Sequence, residues 1–181
     1  KYWFPGGDLE DITITDTSAV DHIVYLANES GSKIEAFNLD TGSKVANRSW
    51  KLSDLPVSGG SGFEALAYVP AAFAPASWGK AKSGGFFVAG TQAEAKLRVY
   101  NIDLNSTGKS VTSIAKIPVT YTDVAGLHYN TKTQLLYVLF DSADKMKEYK
   151  LTGRIVNSYK LPTSGSSDEG IAVIPDCTAG K

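Results

Sequence analysis

Apolar residues along this chain fall in short, strand-length runs with no helical period. The runs are rich in Val, Ile, Leu, Phe and Tyr, and Gly, Asn, Asp, Ser and Pro between them supply turn geometry. One pattern recurs: Phe37-Asn38-Leu39-Asp40-Thr41-Gly42, Tyr100-Asn101-Ile102-Asp103 and Tyr149-Lys150-Leu151-Thr152-Gly153. Around it the strands predicted at 8–15, 23–28, 33–39 and 44–52 form a first unit. Those at 62–69, 85–89, 97–103 and 111–117 form a second, and those at 123–129, 134–140, 145–151 and 154–161 a third. A further opening strand is predicted at 169–174.

Units of about forty to fifty residues, each four short antiparallel strands, predict β-propeller blades. An immunoglobulin-like sandwich also spaces short strands regularly. It has no need to repeat the same aromatic motif in its third strand, whereas stacked blades reuse the residues that fit a neighbouring blade. The fold class expected is therefore all-β: a single propeller segment over 1–181, with repeats at about 8–52, 62–118 and 123–162 and a fourth beginning near 168. Tyr2-Trp3-Phe4 reads as the outer strand of a preceding blade. Three blades and one strand fall short of a closed ring. The expected partners are remaining blades of a longer protein, a second copy, or another protein chain covering the bare faces and edges.

Composition narrows the function classes. Lys and Arg number 18 against 19 Asp and Glu, which gives no overall electrostatic reason to bind nucleic acid. No apolar stretch reaches membrane-spanning length, so no membrane insertion is expected. Cys177 is the only cysteine, which excludes a disulfide within the chain and leaves it either a free thiol or paired outside it. Asn28-Glu29-Ser30, Asn47-Arg48-Ser49 and Asn105-Ser106-Thr107 are glycosylation acceptors in form and point to an extracellular or secreted protein, with Asn105 placed in a predicted turn.

The opening strands carry a second repeat. Leu9-Glu10-Asp11-Ile12, Phe63-Glu64-Ala65-Leu66, Val124-Ala125-Gly126-Leu127 and Asp168-Glu169-Gly170-Ile171 align, with a carboxylate in the second place of three copies. In a propeller these strands line the channel, and the loops joining second to third strands lie at the same end. Those loops are polar too, and contain Glu29, Asp141 and the lysines Lys33, Lys96 and Lys145. A carboxylate rim is expected, holding a cation or neutralised by the lysines.

The third unit, with 123–129, Leu135-Leu136-Tyr137-Val138-Leu139, Asp141-Ser142, Gly153-Arg154-Ile155-Val156 and 168–172, resembles the SdiA-regulated and phytase-like propeller proteins. The first two units resemble them more loosely. Such proteins have about six blades and bind calcium through acidic residues at the channel, where the active members hold substrate phosphate. The resemblance implies calcium as the cofactor and Glu10, Glu64 and Glu169 as its ligands, with Glu29 and Asp141 on adjoining loops. A hard cation wants six to eight oxygens, which such a rim can supply.

Other chemistry is poorly represented. His22 and His128 read as structural residues, no Gly-x-Ser-x-Gly elbow occurs, and Gly59-Gly60-Ser61-Gly62 leads into a strand instead of the helix a phosphate loop needs. Paired His or Cys metal motifs are absent from the sequence. The insertion at 70–83 puts Phe73 and Trp78 either on an exposed contact surface or against their own blade. The functional expectation is a non-catalytic binding or structural module of a larger secreted protein or assembly. The alternative is a calcium-dependent phosphoesterase of the phytase-like kind.

Overall fold

The computed structural model describes residues 7–56, 62–162 and 169–174. Its strands are β1 (Leu9–Ile14), β2 (Ile23–Asn28), β3 (Lys33–Asn38), β4 (Ser43–Leu52), β5 (Phe63–Pro70), β6 (Gly85–Thr91), β7 (Lys96–Tyr100), β8 (Ser110–Val111), β9 (Ala115–Pro118), β10 (Val124–Asn130), β11 (Leu135–Phe140), β12 (Lys145–Tyr149) and β13 (Ile155–Lys160). They form three successive sheets, ordered β1-β2-β3-β4-β8, β5-β6-β7-β9 and β10-β11-β12-β13. Each four-strand run is antiparallel; β8 joins the first sheet parallel to β4. One helical turn, α1 (Ser18–Asp21), and three short 3-10 turns complete the described elements. No helix among the described residues is long and apolar enough to cross a membrane.

The sheets stack because the middle one has no polar face. Phe63–Pro70 and Gly85–Thr91 are buried at every position, which is why they read as continuous apolar runs without alternation. Leu66, Tyr68, Phe87 and Ala89 pack toward the first sheet with Tyr25, Ala27, Ala36 and Trp50. Ala65, Ala67, Val69 and Val88 pack toward the third with Leu136, Val138 and Phe140. The recurring aromatic occupies the same place in each sheet: Phe37, Tyr100 and Tyr149 stand opposite Val24, Phe87 and Leu136, all three aromatics buried. Burying each contributes about 1.5–3 kcal/mol. Arg98 and Asp54 join the first two sheets. Asp54, on the segment after β4, accepts from Tyr100 Oη and from the Ser113 amide, and lies 3.6 Å from Arg98 Nε.

Two predicted features change, and a third that the sequence leaves open is decided. The fourth strand of the second unit, expected at 111–117, divides into β8 and β9: the first part pairs with the neighbouring sheet and only the second with β7. Residues 169–174 form no strand; they lie beside β10, where the Gly170 amide donates to the Ala125 carbonyl. The insertion puts Trp78 against its own sheet, buried edge-on to Phe86, while Phe73, 37% exposed, leans on Tyr129 of the third sheet. Tyr2-Trp3-Phe4, Gly59, Gly60, Ser61, Asp168 and Cys177 lie outside the described residues.

A candidate cation-binding rim

The opening strand of every sheet is bulged at one place. Register shifts between Leu9 and Asp11, between Phe63 and Ala65, and between Val124 and Gly126, so Glu10, Glu64 and Ala125 are the additional residues. A bulge reverses the alternation of faces and re-aims the residue it inserts. Its effect is visible in β5, where Phe63 packs toward the first sheet and Ala65, two residues on, toward the third. The sequence alignment of Glu10, Glu64 and Ala125 is thus an alignment of bulges.

The bulges bring Glu10 and Glu64 to a common end, and loop residues join them. Carboxylate oxygens of Asp8, Glu10 and Glu29 lie within 4.8 Å of one another. Glu29 opens the 3-10 turn after β2 and accepts from the Gly62 amide at 2.9 Å, which ties it to the entry of β5. Asp8 accepts from Ser30 Oγ at 3.2 Å, and its carbonyl accepts from the Glu29 amide. Asp123, in the left-handed region with φ of 61°, precedes β10 and accepts from the Ser142 amide.

Glu64 is only 8% exposed, and its pKa is pushed up to about 8. Burial is the largest cause, followed by the charges of Glu10, Glu29, Glu169 and Asp123. Glu10 is raised by burial and by Asp8, Glu29 and Glu169. Glu169, itself exposed, acts through its charge on both Glu10 and Glu64. Asp141 follows β11 on the adjoining turn, its amide donating to the Asp123 carbonyl. Asp8 and Asp123 join the rim beyond the carboxylates expected there from the sequence. The signal for Asp123 was its place immediately before the repeated opening strand.

The lysines expected to neutralise the rim act elsewhere. Lys96 pairs with Glu94 at 2.8 Å, Lys145 donates to the Tyr121 phenol, and Lys33 acts on Glu35. Asp11, beside Glu10, points inward. Its oxygens accept from the Ile12 and Leu66 amides, each at 2.7 Å, so it bridges the first two sheets. Burial pushes its pKa up to about 7 against those hydrogen bonds. Below the rim, a cavity of about 1060 Å³ is walled by Leu26, Tyr68, Leu127, Tyr129 and residues 170–172.

Both histidines have structural surroundings. His22 caps α1 at φ of 52° and pairs with Asp40, while His128 is half-buried beside Tyr137, with burial lowering its pKa. Of the glycosylation candidates, Asn105 and Asn47 are exposed, whereas the Asn28 amide donates to Glu35.

No protein-family model and no curated protein matches this chain. A crystal structure of glutaminyl cyclase from Myxococcus xanthus matches it with a TM-score of 0.56 at 11% identity, covering 92% of this chain and 57% of that one. At such identity the likeness is one of fold, which is propeller-like, and the chain spans little more than half of that protein's length. These comparisons give no support to the SdiA-regulated or phytase-like resemblance.

Proposed function

We propose that this chain is a non-catalytic binding module of propeller-like architecture whose acidic rim takes a divalent cation, with calcium the ion best matched to it. The three sheets are read as successive blades, and residues 169–174 as the approach to a fourth. The observation that carries the proposal is the carboxylate set itself. Asp8, Glu10, Glu29, Glu64, Asp123 and Glu169 interact from three sheets and the segment beyond them, and the charges acting on Glu10 and Glu64 are all negative. Oxygen-only donors suit a hard cation, and a cation would relieve the repulsion that now favours protonation of Glu64. Bound metal would bridge residues from separate blades. It would therefore act as a structural clasp, and as a docking point for an acidic group on a partner. A secreted setting, where calcium is abundant, completes the reading.

Calcium binds only the folded arrangement, so it should raise the melting temperature by mass action: at a hundredfold excess over Kd the gain is about 2.7 kcal/mol. Glu64→Gln keeps the shape and removes a charge, and should diminish that gain without lowering stability in chelator near neutral pH. Phosphate release from inositol phosphates should stay at background. Identical melting in calcium and in chelator would overturn the cation site. Calcium-dependent phosphate release lost in Glu64→Gln would overturn the non-catalytic reading.

A further inference from the structure

A second charged cluster, of opposite sign, lies on the flank of the third sheet. Alternation along β12 puts Lys145 and Lys147 on one face, opposite Phe140 and Val138 of the core on one side and Lys160 and Ser158 of β13 on the other. Lys145 and Lys160 are directly cross-strand, where like charges destabilise. Lys147 is 7% exposed, an unusual burial for a lysine without a counter-charge. Among the described residues no carboxylate comes within ion-pair distance of Lys145 or Lys147, whereas Lys44 and Lys96 each have one.

The hydrogen bonds within the cluster leave donors over. Lys147 Nζ donates to Thr120 Oγ1 at 3.2 Å and stands 4.6 Å from the centre of the Tyr121 ring. Lys145 Nζ donates to Tyr121 Oη at 3.3 Å. Tyr149 Oη accepts from the Thr120 amide at 3.0 Å and shares a second hydrogen bond with Thr120 Oγ1 at 2.8 Å, in which either hydroxyl can donate. Thr120 Oγ1 therefore accepts from Lys147, and its hydroxyl can turn its hydrogen either to Tyr149 or outward. The Tyr121 hydroxyl hydrogen and hydrogens remaining on the two ammoniums are free of the bonds to Thr120 Oγ1 and Tyr121 Oη. The ring of Tyr121 is held edge-on by Phe140 at 5.4 Å, which fixes the platform on which the ammoniums sit. The Tyr121 phenol is held below its ordinary pKa, chiefly by the Lys145 hydrogen bond and further by the charge of Lys147.

We propose that Thr120, Tyr121, Lys145 and Lys147 bind a tetrahedral oxyanion, phosphate or sulfate, free or as a monoester. Converging donors with an excess of positive charge need an acceptor with several oxygens and more than one negative charge, which a tetrahedral dianion supplies and a single carboxylate does not. The site is independent of the rim reading, since it uses none of the rim carboxylates.

The test is isothermal titration of the whole chain in metal-free buffer, with inorganic phosphate, sulfate and O-phosphoserine each compared with chloride at equal ionic strength. Saturable binding is expected, weakened about tenfold or more in Lys145→Gln and in Lys147→Gln, and unchanged in Lys116→Gln on the exposed part of β9. Repeating it in Glu64→Gln should give the same affinity, which separates this site from the rim. Should Lys147→Gln fail to fold, Lys145→Gln and Tyr121→Phe at the less buried positions carry the test. Preference for O-phosphoserine would identify a phosphorylated ligand, and equal binding of all three a free anion. Absence of saturable binding, or affinity unchanged in the lysine variants, would overturn the proposal.

Discussion

Glu64 makes stability fall as pH rises, and Glu64→Gln should remove most of that fall. The folded chain favours the protonated acid, raising its pKa from 4.5 to about 8. Its contribution is therefore fully present below pH 4.5 and is lost as pH climbs through 8. At full linkage such a rise corresponds to about 5 kcal/mol. Glu10 and Glu29 are partly exposed and Glu169 is exposed, so solvent screening of their repulsion brings the expected figure to about 2 kcal/mol. Asp11, raised from 3.8 to about 7, acts in the same direction over a lower window. The assay is urea denaturation in metal-free buffer at pH 5, 6.5 and 8, at low and at high salt. The parent chain should lose stability from pH 5 to pH 8, Glu64→Gln should lose about 2 kcal/mol less, and high salt should narrow the difference. Superimposed pH profiles for the two proteins would refute the reasoning, as would a parent chain that gains stability toward pH 8.

Trp78→Ala should cost about 3–5 kcal/mol by the loss of a buried indole, whereas Phe73→Ala should cost under about 1 kcal/mol because the ring is already partly solvated; equal costs in chemical denaturation would contradict the packing of the insertion. Gly90→Ala should cost about 1–3 kcal/mol by overpacking, because a methyl there meets the Val124 side chain and Ala65 Cβ. Adding Val124→Ala should return part of that loss, and strict additivity in a double-mutant cycle would show that the two positions do not touch.

The three sheets could be read from the sequence because each unit repeats the residues that face its neighbours. Phe37, Tyr100 and Tyr149 recur because each fills the same inter-strand position against the second strand of its own sheet. The division of 111–117 was hidden for the opposite reason. Ser110 and Val111 pair with Lys51 and Leu52 of a different sheet, a long-range choice to which local periodicity is blind. Trp78 and Phe73 share one apolar insertion, and only the tertiary position of Phe86 and Tyr129 separates a buried ring from a half-solvated one.

The rim shows a subtler division. Glu10, Glu64 and Ala125 align in sequence, yet the reason for the alignment is a backbone bulge, which neither hydropathy nor composition records. Once the bulge is known, the neighbouring position explains itself. It holds Ala65 and Gly126 in the second and third sheets but Asp11 in the first. A Cβ at Gly126 would meet the Gly170 backbone, whereas Asp11 reaches across to the Leu66 amide. Gly126 admits the segment of chain at Gly170, and the single aspartate bonds to the neighbouring strand. One position of the repeat therefore carries the junction between units, and the position before it carries the charge. That separation lets Ala125 replace a carboxylate without disturbing the stacking of the sheets.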